Sequence, residues 1–367
     1  MQKICNKDNC CGCLACKNIC PKNAIYIKED EQGFEYPKIN SQICINCGLC
    51  KNVCPILNGK EEEKNTPNAF AIYNKNTEIR MESSSGGIFT EIAKQIINDE
   101  GIVFGAIFDD KFNVLHKGID NIENLWKIRG SKYLQSKIGD TYKQAKKELE
   151  NGRKVLFTGT PCQIEGLYTY LGKDYENLYT QDLICHGVPS AKVWRKYIEY
   201  REKQDSGKIQ KISFRNKYNK GWNNYQTCFE YEDKQISIDH NEDFYMRLFL
   251  SDMVLRPSCY SCKFKKKHRR SDITLADFWG IDEILPKMND EKGTSLVIVN
   301  SEKGQELLKH INENIYIEKV DFEEAISHNK SMYQSPNIEK QNLEIYHDIE
   351  RLDIDEIVKK FLENSDK

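Results

Sequence analysis

Short apolar runs alternate with amphipathic segments through the middle of this 367-residue chain. Three continuous runs have the length of buried strands, and they lie at residues 102–108, 155–158 and 178–185. Three other segments carry apolar residues at helical spacing, and these are residues 88–98, 142–150 and 193–201. Strands that alternate with helices in this way predict a mixed α/β core with a partly parallel sheet.

The second half of the chain has a different pattern. Residues 208–214 and 226–238 are predicted to be strands with an aromatic, Asn-rich connection, and residues 343–362 have the pattern of a charged amphipathic helix. Further elements are predicted as a helix at 244–251, a strand at 295–300 and a helix at 302–311. The segments suggest a cysteine-dense domain at 1–57, a polar linker at 58–68, two parts of one core at 69–207 and 208–340, and a C-terminal helix at 341–367.

Composition narrows the class of protein. Hydrophobic residues make up 39% of the chain and the net charge is -2, so nothing in the overall charge argues for nucleic acid. No stretch approaches the roughly 18 apolar residues that a membrane helix needs, and the first residues lack an apolar signal-peptide core. We therefore expect a cytoplasmic protein that neither inserts into membranes nor binds nucleic acid.

Cysteine is the unusual component, since ten of the 15 cysteines lie in the first 54 residues. Eight of them form one spacing twice, as Cys10-x-x-Cys13-x-x-Cys16-x-x-x-Cys20-Pro and Cys44-x-x-Cys47-x-x-Cys50-x-x-x-Cys54-Pro. In bacterial two-cluster ferredoxins the fourth cysteine of each run ligates the other cluster. The spacing therefore predicts one 4Fe-4S cluster on Cys10, Cys13, Cys16 and Cys54, and a second on Cys44, Cys47, Cys50 and Cys20.

A pair of zinc knuckles is the alternative for this segment, but zinc motifs seldom show a three-cysteine loop with a fourth cysteine before proline. Between the two runs, residues 24–28 and 35–39 are predicted to form a hairpin. Cys5 and Cys11 lie outside the spacing, and we expect both to be unligated.

Four further cysteines lie in three compact motifs: Gly159-Thr-Pro-Cys162-Gln, Cys185-His-Gly-Val-Pro189 and Cys259-x-x-Cys262. The first two motifs follow predicted strands, and the loops of a parallel sheet meet at one edge. The spacing alone leaves three interpretations open: a third 4Fe-4S cluster, a four-cysteine zinc site, or unrelated buried or redox-active thiols.

The order of these motifs resembles the coenzyme F420 hydrogenase/dehydrogenase beta-subunit family over nearly the whole chain. The resemblance also rests on Ser83-Ser-Ser-Gly-Gly-Ile88, Arg129-Gly-Ser-Lys-Tyr133 and Asp272-Ile-Thr-Leu-Ala-Asp-Phe-Trp-Gly280. It implies an FAD-binding core with a 4Fe-4S cluster held by Cys162, Cys185, Cys259 and Cys262. The ferredoxin-like segment is then an added domain, which the family's hydrogenase subunits lack, so their substrate is not carried over.

Candidate flavin contacts lie in the same motifs. Ser84, Ser85, Gly86 and Gly87 precede a predicted helix, whose N-terminal N–H groups suit a pyrophosphate, although they also fit a simple helix cap. Arg129 and Lys132 are cations in a Gly/Ser loop, where they either meet the cofactor or are solvated at the surface. The other candidates are Thr158, Gly159, Thr160 and Asp277.

His186 and Lys132 are the candidate catalytic residues, because either can move a proton to or from flavin or substrate. An ordinary hydrogen-bonded histidine is the simpler interpretation of His186. The basic run 263–270 is either a solvated loop or a docking patch for an acidic redox protein or an anionic substrate.

We expect an iron–sulfur flavoprotein oxidoreductase, FAD-dependent, that links a ferredoxin-type protein or a partner redox subunit to a small molecule. The competing hypothesis is a non-catalytic electron-transfer subunit of a larger complex.

Overall fold

The computed structural model describes residues 3–59 and 67–363. Most of the predicted linker, residues 60–66, lies outside the described residues. No helix in the described part of the chain is long and apolar enough to cross a bilayer.

The N-terminal module is built from short elements around two cysteine loops. In chain order these are α1 (Ala15–Ile19), β1 (Ile25–Glu29), β2 (Glu35–Ile39), α2 (Leu49–Asn52) and α3 (Pro55–Asn58). The antiparallel pair of β1 and β2 is the predicted hairpin, with Ile25 opposite Ile39. Each of the helices α1 and α2 begins after a residue with positive φ, Leu14 and Gly48, so both cysteine loops turn sharply into a helix.

The rest of the chain forms the core, which begins with five strands of one large sheet and the helices between them. These elements are β3 (Asn68–Asn74), α4 (Thr77–Met81), α5 (Ile88–Asn98), β4 (Ile102–Phe108), β5 (Val114–Ile119), α6 (Thr141–Glu150), β6 (Val155–Thr158), α7 (Pro161–Leu171), β7 (Leu178–Leu183) and α8 (Ala191–Gln204).

A small antiparallel sheet interrupts the large one and is followed by the remaining elements of the core. These are β8 (Lys211–Asn216), β9 (Gln226–Glu230), β10 (Gln235–Asp239), α9 (Phe244–Leu250), β11 (Ile273–Asp277), α10 (Ile281–Ile284), β12 (Ser295–Val299), α11 (Glu302–Ile311), β13 (Ile315–Val320), α12 (Phe322–Ile326), α13 (Ile345–Asp348) and α14 (Ile354–Val358).

The large sheet has the strand order β13-β3-β12-β11-β7-β6-β4-β5. Its centre is parallel, since β4, β6, β7 and β11 pair in the same direction. The outer pairs β4–β5, β11–β12, β12–β3 and β3–β13 are antiparallel. The mixed α/β class expected from the sequence is therefore confirmed, and the loops after the parallel strands meet at one edge of the sheet.

Side chains along each central strand point alternately to two hydrophobic layers. On β4, Val103 and Ile107 contribute to the layer under α5 and α11, whereas Phe104 packs on the opposite face. This second layer contains α6 and α7, and also Leu14 and Ala15 of the module. The module is thus part of the core packing and not a separately tethered domain.

Two glycines show how closely the module fits the core. A Cβ at Gly166 of α7 would lie 2.8 Å from Cys13 Cβ, and a Cβ at Gly33 would lie 2.6 Å from Lys192 N. Polar contacts join the same surfaces: Asn18 Nδ2 donates to Gly139 O at 2.9 Å, and Arg195 pairs with Glu29.

The structure corrects three sequence predictions. Residues 226–238 form two strands of a hairpin, β9 and β10, and not one strand. The strand predicted at 178–185 ends at Leu183, which leaves Cys185 in a loop. The C-terminal helix is broken into short pieces, because Asp353 caps a new helix by accepting from Glu356 N. These pieces cover the hydrophobic cluster around α8 and α9.

Candidate functional site

Four cysteines of the module, Cys10, Cys13, Cys16 and Cys54, line one recess, which we call site I. Cys13, Cys16 and Cys54 are buried. The charges of Cys10 and Cys54 each raise the pKa of Cys16, after burial itself, which shows that the three sulfurs face one another. The structure thus brings Cys54 of the second motif to the three-cysteine loop of the first, as the interleaved ferredoxin pattern requires.

Cys5 also reaches site I, which the sequence did not suggest. Its thiol hydrogen-bonds with the sulfurs of Cys10 and Cys54. That contact is the main cause that lowers the pKa of Cys10 to about 6 and that of Cys54 to about 7. The contact with Cys5 therefore favours the thiolate form of Cys10 and Cys54, which is the form that binds metal.

The other four module cysteines, Cys20, Cys44, Cys47 and Cys50, form site II on the outer side of the module. Cys20 and Cys50 pack in one small cluster, and the charges of Cys44 and Cys47 raise the pKa of Cys50, after burial. Cys47 is exposed, in contrast to the buried cysteines of site I. Site II is consequently the more accessible of the two sites.

The four core cysteines, Cys162, Cys185, Cys259 and Cys262, line a second recess, which we call the core site. Cys162 begins α7 after β6, Cys185 follows β7, and Cys259 ends a short 3-10 helix at Pro257–Cys259. The pKa of Cys185 is raised to about 12, mainly by burial and then by the charges of Cys162 and Cys262. Four cysteines around one buried recess would ionise only with compensating positive charge, which the irons of a cluster would supply.

Protein cations surround the core site. Arg256, Lys265 and Arg269 line the same recess, and the charges of Lys265 and Arg269 lower the pKa of Cys185 against the effect of burial. An anionic cluster with four thiolate ligands fits this lining. In residues 3–59 and 67–363 no three His, Cys, Asp or Glu side chains are close enough together to hold one metal ion.

Cys11 lies between site I and the core site. It is buried, it lines both recesses, and its thiol hydrogen-bonds with Cys13 on one side and Cys162 on the other. Gln135 Nε2 fixes the Cys11 carbonyl at 2.8 Å. A single side chain therefore separates a cysteine of site I from a cysteine of the core site.

Arg256 is the second residue at this junction, and its side chain is buried. Its guanidinium donates to Cys10 O at 2.7 Å, to Gln135 Oε1 at 2.8 Å and to Glu35 O at 3.0 Å, and it lies 4.3 Å from the Tyr36 ring centroid.

All three of these acceptors are neutral. The other buried arginines in the described chain each face a carboxylate, and the pairs are Arg80–Asp290, Arg215–Asp277 and Arg269–Asp182. Arg256 instead faces the cysteines of two sites.

The loop 83–87 meets the loop 129–132 at the edge of the sheet. Ser131 N donates to Ser84 Oγ at 2.7 Å, and Arg129 Nε donates to Thr90 Oγ1 at 3.1 Å in the first turn of α5. Ser85 Oγ and Gly86 N bind Thr294 O and Ser295 Oγ, so these two residues anchor the loop to β12.

Gly87 has a positive φ and supplies no side-chain cap to α5. The free N–H groups of this 11-residue helix, beside the Arg129 guanidinium, suit an anion. Arg129 also pairs with Glu82.

The strand end Thr158–Thr160 joins this edge to the core site. His116 Nε2 lies 2.8 Å from Thr158 O, and burial lowers the pKa of His116 to about 4, so the ring is neutral. Gly159 N donates to Gln181 O, Thr160 is in a capping box with Gln163, and Thr160 Oγ1 lies 3.1 Å from Cys162 Sγ. The order of the chain therefore leads directly from the sheet edge to a core cysteine.

Asp277, at the end of β11, is engaged by protein groups. Arg215 contacts both carboxylate oxygens at 3.0 and 3.1 Å, and Trp222 Nε1 donates to it at 2.9 Å. Arg215 is stacked 3.8 Å from the Tyr225 ring centroid, and its Nε is buried with no partner in the described residues. Asp277 thus orients Arg215, which the sequence did not single out.

Each of the two catalytic candidates lies beside an aromatic ring, Lys132 Nζ at 5.8 Å from the Phe108 ring centroid and His186 against Phe249. Lys132 Nζ is surrounded by the carbonyls of Ile128, Arg129 and Gly130, and burial lowers its pKa to about 7. The Lys132 ammonium is therefore bonded to backbone carbonyls, and its role at the cofactor stays a prediction. His186 Nε2 is 2.7 Å from Asp252 Oδ1, and its ring lies against Phe249, which also contacts Tyr133.

The basic run has mixed surroundings. Arg269 pairs with Asp182 in the interior, Arg270 pairs with Glu165, and Lys267 pairs with Glu323. Lys265 faces the core cysteines, and Lys263 donates to Ile56 O of the module. The interpretation of the whole run as a solvated loop is therefore wrong.

Two family models match parts of this chain. Residues 152–325 match the family model for the C-terminal region of the coenzyme F420 hydrogenase/dehydrogenase beta chain, and residues 9–57 match a 4Fe-4S dicluster domain. The chain is 24% identical to an uncharacterized protein of Methanocaldococcus jannaschii, over 88% of this chain and 92% of that protein.

A chain from the xenon-derivatized F420-reducing NiFe hydrogenase complex of Methanosarcina barkeri has a TM-score of 0.47 at 16% identity, and the match covers 83% of this chain and 94% of that chain. The two matched family segments span the module and the core from just before β6 to α12.

Proposed function

The chain belongs to the coenzyme F420 hydrogenase/dehydrogenase beta-subunit family and carries a 4Fe-4S dicluster domain, so it is an iron–sulfur electron-transfer protein, and we propose that it is an FAD-dependent oxidoreductase. In this proposal it exchanges electrons between a ferredoxin-type protein and a small molecule. The observation that carries the proposal is Cys11, whose thiol contacts Cys13 of site I and Cys162 of the core site. That contact supports a continuous path from the module into the core.

Sites I and II would each hold one 4Fe-4S cluster of the dicluster domain, and the core site would hold a third on Cys162, Cys185, Cys259 and Cys262. The recesses at site I and at the core site, and the cations around the core site, support this assignment. Iron–sulfur clusters exchange single electrons, whereas a flavin takes up two and releases them as a hydride. A protein with both therefore suits the exchange of electrons with an organic substrate.

The flavin would lie along the sheet edge that leads to Cys162. The uncapped N-terminus of α5 and Arg129 would bind its pyrophosphate. Ser84 and Ser131 hold their two loops together, and Thr158, Gly159 and Thr160 would allow close approach of backbone to the ring system. Ser85, Gly86 and Asp277 act indirectly, because their polar groups are already bonded to protein.

Lys132 and His186 would handle protons. Burial places the pKa of Lys132 at about 7, so its Nζ can bind and release a proton near neutral pH. His186 Nε2 lies 2.7 Å from Asp252 Oδ1, so a carboxylate stands beside the imidazole. Lys132 Nζ lies over the ring of Phe108, and the His186 ring lies against Phe249.

The experiment that tests the proposed function is anaerobic reduction by a purified, reduced two-cluster ferredoxin, followed by the absorbance of bound flavin. We expect the flavin of the isolated protein to be reduced, and Cys11→Ala to slow this step while leaving the iron content unchanged. Reduction of the module clusters with no bound flavin, and no transfer to any small-molecule acceptor, would favour a relay subunit and contradict the proposal.

A further inference from the structure

The outer face of the module exposes apolar side chains around site II. Ile43, Ile45, Leu49 and Leu57 are exposed by 47%, 56%, 38% and 50%. The first three lie beside Cys44, Cys47 and Cys50 in sequence, and Cys47 itself is exposed. Exposed apolar residues that are grouped in this way mark interaction sites, whereas single ones do not.

Within residues 36–59, which carry most of this face, the charge has one sign. Residues 36–59 contain no Asp or Glu, and the exposed Lys22 and Lys51 follow Cys20 and Cys50 of site II. Three of the module's acidic side chains are instead used in ion pairs, and these are Asp30–Lys7, Glu29–Arg195 and Glu35–Lys137. The surface around site II is therefore apolar with a positively charged rim.

Site I faces the opposite way. Its recess adjoins Cys11 and the core, and Gly166 of α7 packs directly on Cys13. An external protein can therefore approach the module's redox sites closely only from the side of site II.

From these observations we propose that the face formed by Ile43, Ile45, Leu49, Leu57, Lys22 and Lys51 is the docking surface for a small acidic electron-carrier protein. The proposal rests on the proposed function and deepens it by naming the surface and the charge of the partner. The apolar centre favours a protein over a free anion, and opposite charge on the partner speeds the encounter. One electron passes between the carrier and site II, so that one is oxidised and the other reduced, with no bond made and no proton moved.

A second copy of this chain is disfavoured as the occupant, because two positively charged rims would repel each other. The test uses an acidic two-cluster bacterial ferredoxin, reduced in advance, and the full-length protein with its clusters. Stopped-flow absorbance follows reduction of the module clusters as a function of salt. We expect the second-order rate constant to fall with rising salt, since surface charges are screened within about 8–10 Å at 0.1–0.15 M.

The double variant Lys22→Glu/Lys51→Glu should lower the rate constant at least tenfold at low salt, and Ile45→Ser should lower it at every salt concentration. Lys309→Glu/Lys319→Glu is the matched control, because both lysines are exposed and lie on α11 and β13 of the core. Reduction by dithionite should be the same in all variants, which shows that the clusters are intact.

A rate constant that is independent of salt and unchanged in Lys22→Glu/Lys51→Glu would overturn the proposal. The proposal would also be overturned if the protein bound anionic phosphatidylglycerol vesicles while its reaction with the ferredoxin was no faster at low salt than at high salt. If the variant Glu61→Gln/Glu62→Gln/Glu63→Gln reacted faster and its rate no longer depended on salt, the chain's own acidic segment would be the occupant. That result would also overturn the proposal. The stopped-flow experiment follows only the module clusters. If the core proved to hold no flavin, the proposed function would be refuted, but this test of the docking surface would still be valid.

Discussion

Replacing Arg256 with glutamine should make the reduction potentials of the clusters at site I and the core site more negative. The guanidinium is buried, donates to the carbonyl of Cys10, lines the recess of Cys259 and Cys262, and is not paired with a carboxylate. A buried cation stabilises the reduced, more negative state of a nearby cluster. Its removal therefore disfavours reduction.

The magnitude follows from Coulomb's law. For a charge about 6 Å from the cluster in a medium of effective dielectric constant about 20, the interaction is roughly 3 kcal/mol. Since about 1.4 kcal/mol corresponds to about 59 mV for one electron, the expected shift is on the order of 100 mV. It should appear at both sites, because the same guanidinium adjoins both.

The assay is an EPR-monitored redox titration of protein with full iron content. Arg256→Lys retains the charge and should recover most of the potential. Arg195→Gln is the matched control, because Arg195 also joins the module to the core through Glu29 but lines neither recess. Unchanged potentials in Arg256→Gln, or equal shifts in Arg256→Lys and Arg256→Gln, would refute the electrostatic explanation.

Three further predictions concern single residues. Cys259→Ala should lower the iron content from about twelve to about eight atoms per chain, since each cubane holds about four, and unchanged iron would remove Cys259 from the core site. Gly166→Ala should lower the iron content and the thermal midpoint, because the new Cβ would lie 2.8 Å from Cys13 Cβ. In an ordinary helix the same change would stabilise the protein, since alanine is more favourable than glycine by about 1 kcal/mol. The control is Glu148→Ala on α6, because Gly172 has a positive φ that alanine would strain. Lys132→Met should remove a pH dependence of stability, because the pKa of Lys132 is lowered to about 7 in the folded protein. Between pH 7 and about 10 the unfolded wild-type chain binds one more proton at this lysine than the folded chain does. The wild type should therefore gain stability relative to the variant as pH rises. Urea midpoints measured across that pH range check this, and parallel curves for the two proteins would contradict it.

The fold class and the module were predictable because their signals are local. The cysteine spacing places both ferredoxin loops, and the helices at 88–98 and 302–311 begin and end where their apolar periodicity predicts. Strands β3, β5, β11 and β13 were not predicted. Three of them lie in the outer, antiparallel part of the sheet, and β11 joins that part to the parallel centre; at these positions long-range pairing decides the structure more than local pattern does.

The junction between module and core could not be predicted from sequence. In the sequence, Cys11 is a cysteine next to Cys10 that lies outside the motif. Arg256 is a single basic residue shortly before Cys259. Both acquire their roles only when the chain brings residues 10–13 against α7 and the loop before Cys259, across more than 140 positions. The unusual signal in the sequence was the Cys10-Cys11 pair, which adds a thiol where the motif needs none.

The central claim is that the core holds a third cluster and a flavin beside the two clusters of the module. The most direct test is to quantify iron, zinc and FAD in one anaerobically purified preparation of the full chain. We predict about twelve iron atoms, since each cluster contributes about four, together with one FAD and no zinc. About eight iron atoms with zinc present and no FAD would contradict the account.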